Sequence, residues 1–207
     1  MPDPRPTIFV LSPASLTGAR ARQLLAPAAS FTTAELYRSP EGVPIADAYS
    51  FLSSLYFRGK IAYARHFAAP PPGLPADQPG SGILIIAPGF GLVDPDWRIT
   101  IERMRKLRRT QVDLASRVYS RPLRDHAAAL RDSLPAETRV VLLGSIATGK
   151  YVDLLEPVFG RRLVFPSAFV GAGNMQRGAL LLRAVRAGEE LAYTTTTLDT
   201  PRHRRRS

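Results

Sequence analysis

The four consecutive aliphatic residues Ile83-Leu84-Ile85-Ile86 carry no polar side chain among them. A run of that kind has no wet face. It predicts a strand covered on both sides, as in a parallel sheet sandwiched between helices. Pro88 cannot donate to a continuing ladder, and Gly89-Phe90-Gly91 supplies the turn that follows. Asp94-Pro95-Asp96 comes next, expected just past the carboxyl end of the strand. Ligands of open α/β sheets bind outside those ends, so this stretch is the first candidate for the wall of a site.

Other segments support the same architecture. Strands are expected at Thr7–Leu11, Thr138–Leu143, Arg162–Phe165 and Tyr193–Thr197. Helices are expected at Ala19–Leu25 capped by Thr17, at Ala46–Ala68, at Thr100–Arg109 capped by Thr100, at Arg121–Leu134 with Pro122 in the first turn, at Tyr151–Phe159 and at Met175–Leu191. Residues 26–44 contain Pro27, Pro40 and Pro44 and read as irregular, with a helical turn at Thr33–Tyr37. Strands alternating with helices imply a single α/β domain over residues 1–198. Its sheet is mostly parallel, of about four to five strands, with helices on both faces. Residues 69–82 read as a surface loop and residues 199–207 as a disordered, arginine-rich tail.

Composition narrows the chemistry. The 207 residues are 45% apolar and include no cysteine, which excludes disulfides, thiolate catalysis and cysteine-ligated metals. The three histidines, His66, His126 and His203, lie in separate segments, so neither a metal site nor a cofactor is expected. No apolar run reaches the ~18 residues of a membrane span. Met-Pro-Asp-Pro-Arg-Pro at the start does not read as a secretory signal, and the expected location is cytoplasmic. The net charge is +11, and Lys60, Lys106 and Lys150 are the only lysines among 28 basic residues. Such a field attracts nucleic acid. A GC-rich genome, which raises Arg, Ala and Pro together, is the alternative source of the arginines.

Gly144-x-x-x-x-Gly149-Lys150 between an expected strand and helix has the spacing of a phosphate-binding loop. Tyr151 stands where a magnesium-binding hydroxyl would be, and no later strand ends in an acid. The spacing therefore points to anion binding rather than nucleotide hydrolysis. The candidate anion site comprises Ser12, Gly89, Gly91, Gly144, Ser145, Thr148, Gly149 and Lys150. Asp94 and Asp96 are candidates for a general base, although Asp-Pro-Asp is also ordinary turn chemistry. Ser12 and Ser145 follow strands, but no Gly-x-Ser-x-Gly surrounds either, and no histidine partner is evident. Gly59 between Arg58 and Lys60 either admits a phosphate or packs a helix, and the two cations are expected at the surface as further candidates for nucleic-acid contact. Arg103, Arg105, Lys106, Arg108 and Arg109 surround the narrow stripe of Ile101, Met104 and Leu107 and are the first choice for nucleic-acid phosphate contact.

Three blocks carry a resemblance. Leu11-Ser-Pro-Ala14, Ala87-Pro-Gly-Phe-Gly-Leu-Val-Asp-Pro-Asp96, and Leu142-Leu-Gly-Ser-Ile-Ala-Thr-Gly-Lys-Tyr-Val-Asp153 with Pro157-Val-Phe159 resemble, in order, signatures of the bacterial YaaA-like peroxide-stress proteins. Phe90 replaces a tyrosine of that pattern, and the family's helix–hairpin–helix element has no clear counterpart. The resemblance implies an α/β fold, DNA binding and protection of DNA during stress. The resulting expectation is a protein that binds nucleic acid or a nucleotide-like anion at the strand carboxyl ends. The alternatives are a nucleoside- or nucleotide-processing enzyme using Asp94 or Asp96, and a structural or partner-binding protein.

Overall fold

Every residue of the strand Thr7–Leu11 (β1) is buried, and so is every residue of Ile83–Ala87 (β3). A computed structural model of the chain describes residues 5–26, 32–53, 55–72 and 82–195. Together with Gly91–Val93 (β4), Arg139–Leu143 (β6), Leu163–Pro166 (β7) and Tyr193–Thr195 (β8), these strands form one sheet in the order β4-β3-β1-β6-β7-β8. The central four are parallel; β4 and β8 are antiparallel edges. Val43–Pro44 (β2) and Arg98–Ile99 (β5) make a separate two-stranded pair.

The aliphatic run has no polar face because the sheet has two cores. Phe9, Leu11, Ile83, Ile85, Val141 and Leu143 face one; Ile8, Val10, Leu84, Ile86, Val140 and Leu142 face the other. Successive side chains of a strand point to opposite faces. The first core is covered by Ala19–Leu25 (α1), Thr32–Arg38 (α2), Ile45–Ser53 (α3), Leu55–Phe67 (α4), the apolar stripe of Ile101–Arg109 (α5), and Asn174–Ala187 (α8). The second is covered by Arg117–Ser133 (α6) and Val152–Phe159 (α7).

The α/β architecture with a mostly parallel sheet is as the periodicity implied, but the sheet has six strands rather than four or five. The extra strand, β4, is three residues long, below what alternation can reveal. The helix expected over 46–68 is seen as α3 and α4, on either side of residue 54, which lies outside the described residues. α6 starts at Arg117, so Pro122 lies inside the helix, where it removes one backbone bond. Thr100 caps α5 by accepting from Arg103 N–H. Thr17 does not cap α1; Gly18 holds that position without a side-chain bond. α8 stops at Ala187 because Gly188 turns left-handed, with φ 68°. Ala69, at the start of the expected loop, bridges to Thr7. Most of that loop and the whole arginine-rich tail fall outside the described residues.

β4 is clamped to α6. Gly91 has φ 83°, and a Cβ there would come within 2.7 Å of both Pro122 O and His126 Nδ1. His126 Nδ1 lies 3.2 Å from the Leu92 nitrogen and 3.0 Å from the Leu92 oxygen, so its tautomer decides which it pairs. Replacing His126 with alanine is expected to cost about 1 kcal/mol, measured by urea unfolding.

Candidate functional site

β1 and β6 end level with each other, since Leu11 pairs with Leu143. Beyond β1 the chain passes to α1 on one face; beyond β6 it passes to α7 on the other. Their carboxyl ends therefore flank the switch point of the sheet, where open α/β folds leave a crevice. Ser12 N–H donates to Leu143 O at 3.1 Å. A Cβ on Gly144 would lie 2.9 Å from Ser12 Cβ, so the two turns touch.

Lys60 reaches this point from α4. It is 1% exposed, and its Nζ hydrogen-bonds the Ser12 carbonyl oxygen and, at 2.9 Å, Ser12 Oγ. The Tyr56 and Phe57 rings stand 4.7 and 4.8 Å from Nζ. Among the described residues no carboxylate pairs with it. Burial, aided by the Arg177 guanidinium, pushes the amine down to about 7. Arg177, itself buried on α8, donates to Phe169 O. Burial, and then Tyr151, raise the Tyr49 phenol; burial, and then Tyr56, raise Tyr151 to about 12. The Tyr49 hydroxyl is buried with no hydrogen-bond partner among the described residues.

Lys60 is thus not the surface cation expected from the sequence. It lies on the buried side of α4, whereas Arg58 is exposed. Gly59 serves packing: a Cβ there would be 2.9 Å from Gly178 O, and one on Gly178 would be 3.0 Å from Tyr56 Cα. The absent side chains let α4 and α8 meet backbone to backbone.

Asp94 and Asp96 are not at the carboxyl rim. β4 doubles back along β3, placing Val93 beside Ile85, two residues before the end of β3. Asp94 then leaves from the middle of the edge. Its Oδ1 accepts the Asp96 N–H at 2.8 Å, so it closes its own turn. Gly91 faces α6 rather than a ligand. Gly89, with φ 83°, abuts Thr110.

The Gly144–Lys150 loop is at the rim, with Ser145 half-buried and Thr148 and Lys150 exposed. Yet a Cβ on Gly149 would lie 2.5 Å from Asp153 Oδ2. That carboxylate stands in the first turn of α7, where a phosphate would be held, and repels one. Lys150 O accepts from the Tyr119 hydroxyl at 2.8 Å.

The expected basic helix is α5. Arg103 lies over the Trp97 ring at 4.8 Å and Lys106 over Phe90 at 4.3 Å. Arg105, Lys106 and Arg109 line an open cleft of about 760 Å³, with Glu102, Thr110 and Gln111. Thr110 joins this cleft to the end of β3 through Gly89. Among the described residues, Arg105, Lys106, Arg108 and Arg109 make no salt bridge.

Among the described residues, no three acidic or histidine side chains converge as a metal site would require, and no helix is long and apolar enough to cross a membrane. Sequence reasoning placed Ser12 and Gly144 at a shared rim but missed Lys60 as the partner of Ser12. The signal was a lone lysine on an aromatic helix, which also reads as a solvated cation. Compared with known proteins, the chain matches no family model, no curated protein and no solved structure.

Proposed function

We propose that the protein binds nucleic acid, with the phosphate backbone lying along α5 and in the cleft at its carboxyl-terminal end. One observation carries this reading: three cations converge, beside Glu102, on a cleft at the edge of the strand carboxyl ends and make no salt bridge among the described residues. Phosphates release condensed counterions when such groups neutralise them. The cation–aromatic stacking of Arg103 and Lys106 supports the same surface by orienting two long side chains. The resemblance to the YaaA-like proteins points the same way, and DNA protection under stress is a role such binding would serve. The sequence-independent term dominates this reading, since no groove-reading motif accompanies the helix.

Fluorescence anisotropy with a mixed-sequence DNA duplex and a single strand, in about 50 to 200 mM salt, tests it. Affinity is expected to fall steeply with salt. The Arg105→Ala/Lys106→Ala/Arg109→Ala variant is expected to reduce the slope of log K against log salt by about 2 to 3. A salt-independent affinity, or a triple variant that binds like the parent, would refute the assignment.

A further inference from the structure

We propose a second site, separate from the α5 cleft: Ser12 is a nucleophile and Lys60 its general base, acting on a carboxylic ester at the β1–β6 switch point. Four observations converge on it. Ser12 Oγ and Lys60 Nζ are 2.9 Å apart, within the reach a nucleophile and its base require. The pair sits at the switch point between β1 and β6, where ligands of open α/β sheets bind, and the adjacent residue Gly144 carries no side chain to cover Ser12. Ser12 is 5% exposed and Lys60 1%, so the amine is shielded from water and the hydroxyl is the more exposed of the two. Finally, the Tyr49 hydroxyl is wholly buried and, among the described residues, unpartnered, its ring 5.2 Å from the Phe57 ring that contacts Lys60.

The hydrogen bonding suits a neutral amine. One N–H donates to the Ser12 carbonyl, and the lone pair can accept the Oγ proton. The groups facing Lys60 are Arg177 from α8 and Tyr56 from α4, with Tyr49 of α3 behind Phe57 and Tyr151 beyond Tyr56. None of these is a carboxylate, so no counter-charge holds the ammonium form in place. A histidine triad is not needed; lysine fills the role of base in known Ser–Lys arrangements.

The step balances without a co-reactant other than water. Ser12 Oγ bonds to the ester carbonyl carbon as its proton passes to Lys60 Nζ. The carbon–oxygen bond to the alcohol breaks, and Nζ returns the proton to the departing alkoxide. Water then attacks the acyl-serine, again losing its proton to Nζ; the acyl carbon–Oγ bond breaks, Nζ passes that proton to Ser12 Oγ, and the acid leaves with serine and neutral amine restored. Positive charge from Arg177 near the base favours its neutral form.

The test uses the full chain and a fluorophosphonate probe, which phosphonylates activated serines irreversibly, followed by peptide mass spectrometry. The expected result is one adduct on Ser12. Its rate should rise with pH and level off above about 7, where the base is neutral. Ser12→Ala, which removes one oxygen atom, should abolish labelling while keeping the circular-dichroism spectrum. Lys60→Met should slow labelling by at least ~100-fold. In parallel, p-nitrophenyl acetate should release p-nitrophenol in the parent and not in Ser12→Ala. No adduct on the folded parent, an adduct at another residue that survives Ser12→Ala, or a rate that does not change with pH would overturn the proposal. These readouts do not depend on DNA binding, because neither Ser12 nor Lys60 lines the α5 cleft.

Discussion

Substituting valine for Gly59 is expected to destabilise the fold by about 3 kcal/mol or more. Overpacking a core costs roughly 1–3 kcal/mol where side chains can shift. At Gly59 the obstacle is backbone: the new Cβ would stand 2.9 Å from Gly178 O and 3.2 Å from Gly178 Cα. The reciprocal position is as tight, with the Gly178 Cβ site 3.1 Å from Leu55 C and O. Neither helix can relieve the contact without moving as a body. α4 and α8 then separate, and the buried Lys60 and Arg177, one on each helix, lose their enclosure. Gly59→Ala is the control. It suffers the first clash but gains up to ~1 kcal/mol of helix propensity, so its loss should be visibly smaller. Urea unfolding of the two variants reads the difference. A valine variant within ~0.5 kcal/mol of the parent, the range of ordinary surface substitutions, would show that the helices do not meet this closely.

Stability should also rise with pH across the neutral range, where solvated cations would leave it flat. Unfolded, Lys60 holds its proton up to about 10.5; folded, only up to about 7. Between these values the unfolded state binds the extra proton, so unfolding becomes harder as pH increases, by at most ~1.4 kcal/mol per pH unit. Below about 7 both states are protonated and the dependence on Lys60 vanishes. At the alkaline end the buried phenols act in the opposite sense. Burial raises Tyr37, Tyr49, Tyr119 and Tyr193, while unfolded tyrosines ionise near ~10. Stability therefore declines again above that value, and the maximum is expected between about pH 9 and 10. Lys60→Met should flatten the neutral-range slope. It should also lower stability at pH ~9, because the Ser12 carbonyl loses its donor. Urea unfolding at half-unit intervals of pH measures both. A flat parent profile would mean that Lys60 is solvated.

Ile83–Ile86 declared itself a two-faced strand because burial on both sides removes every polar residue from a segment. That signal is local, and it carried the fold class, the strand boundaries to within a residue or so, and the position of Ser12 and Gly144 at strand ends. Charge was equally legible: α5 bears its cations around a three-residue apolar stripe, and among the described residues none of the five makes a salt bridge. What the residues alone could not show were relations between distant segments. Whether Asp94 stood at the rim depended on a three-residue strand turning back along β3. Whether Gly149 could cradle an anion depended on which way Asp153 pointed.

Lys60 is the sharpest case. In the sequence it is one cation beside another, Arg58, on an aromatic helix. Which of the two enters the interior depends on how α4 rotates, and that rotation is set by the close approach of Gly59 and Gly178, some 120 residues apart. Short-range patterning thus determined the layers, the strand ends and the distribution of charge, since each follows from a residue's own neighbours. Tertiary structure decided which side chains meet: an amine and a hydroxyl 48 positions apart become partners only when two helices pack without side chains between them.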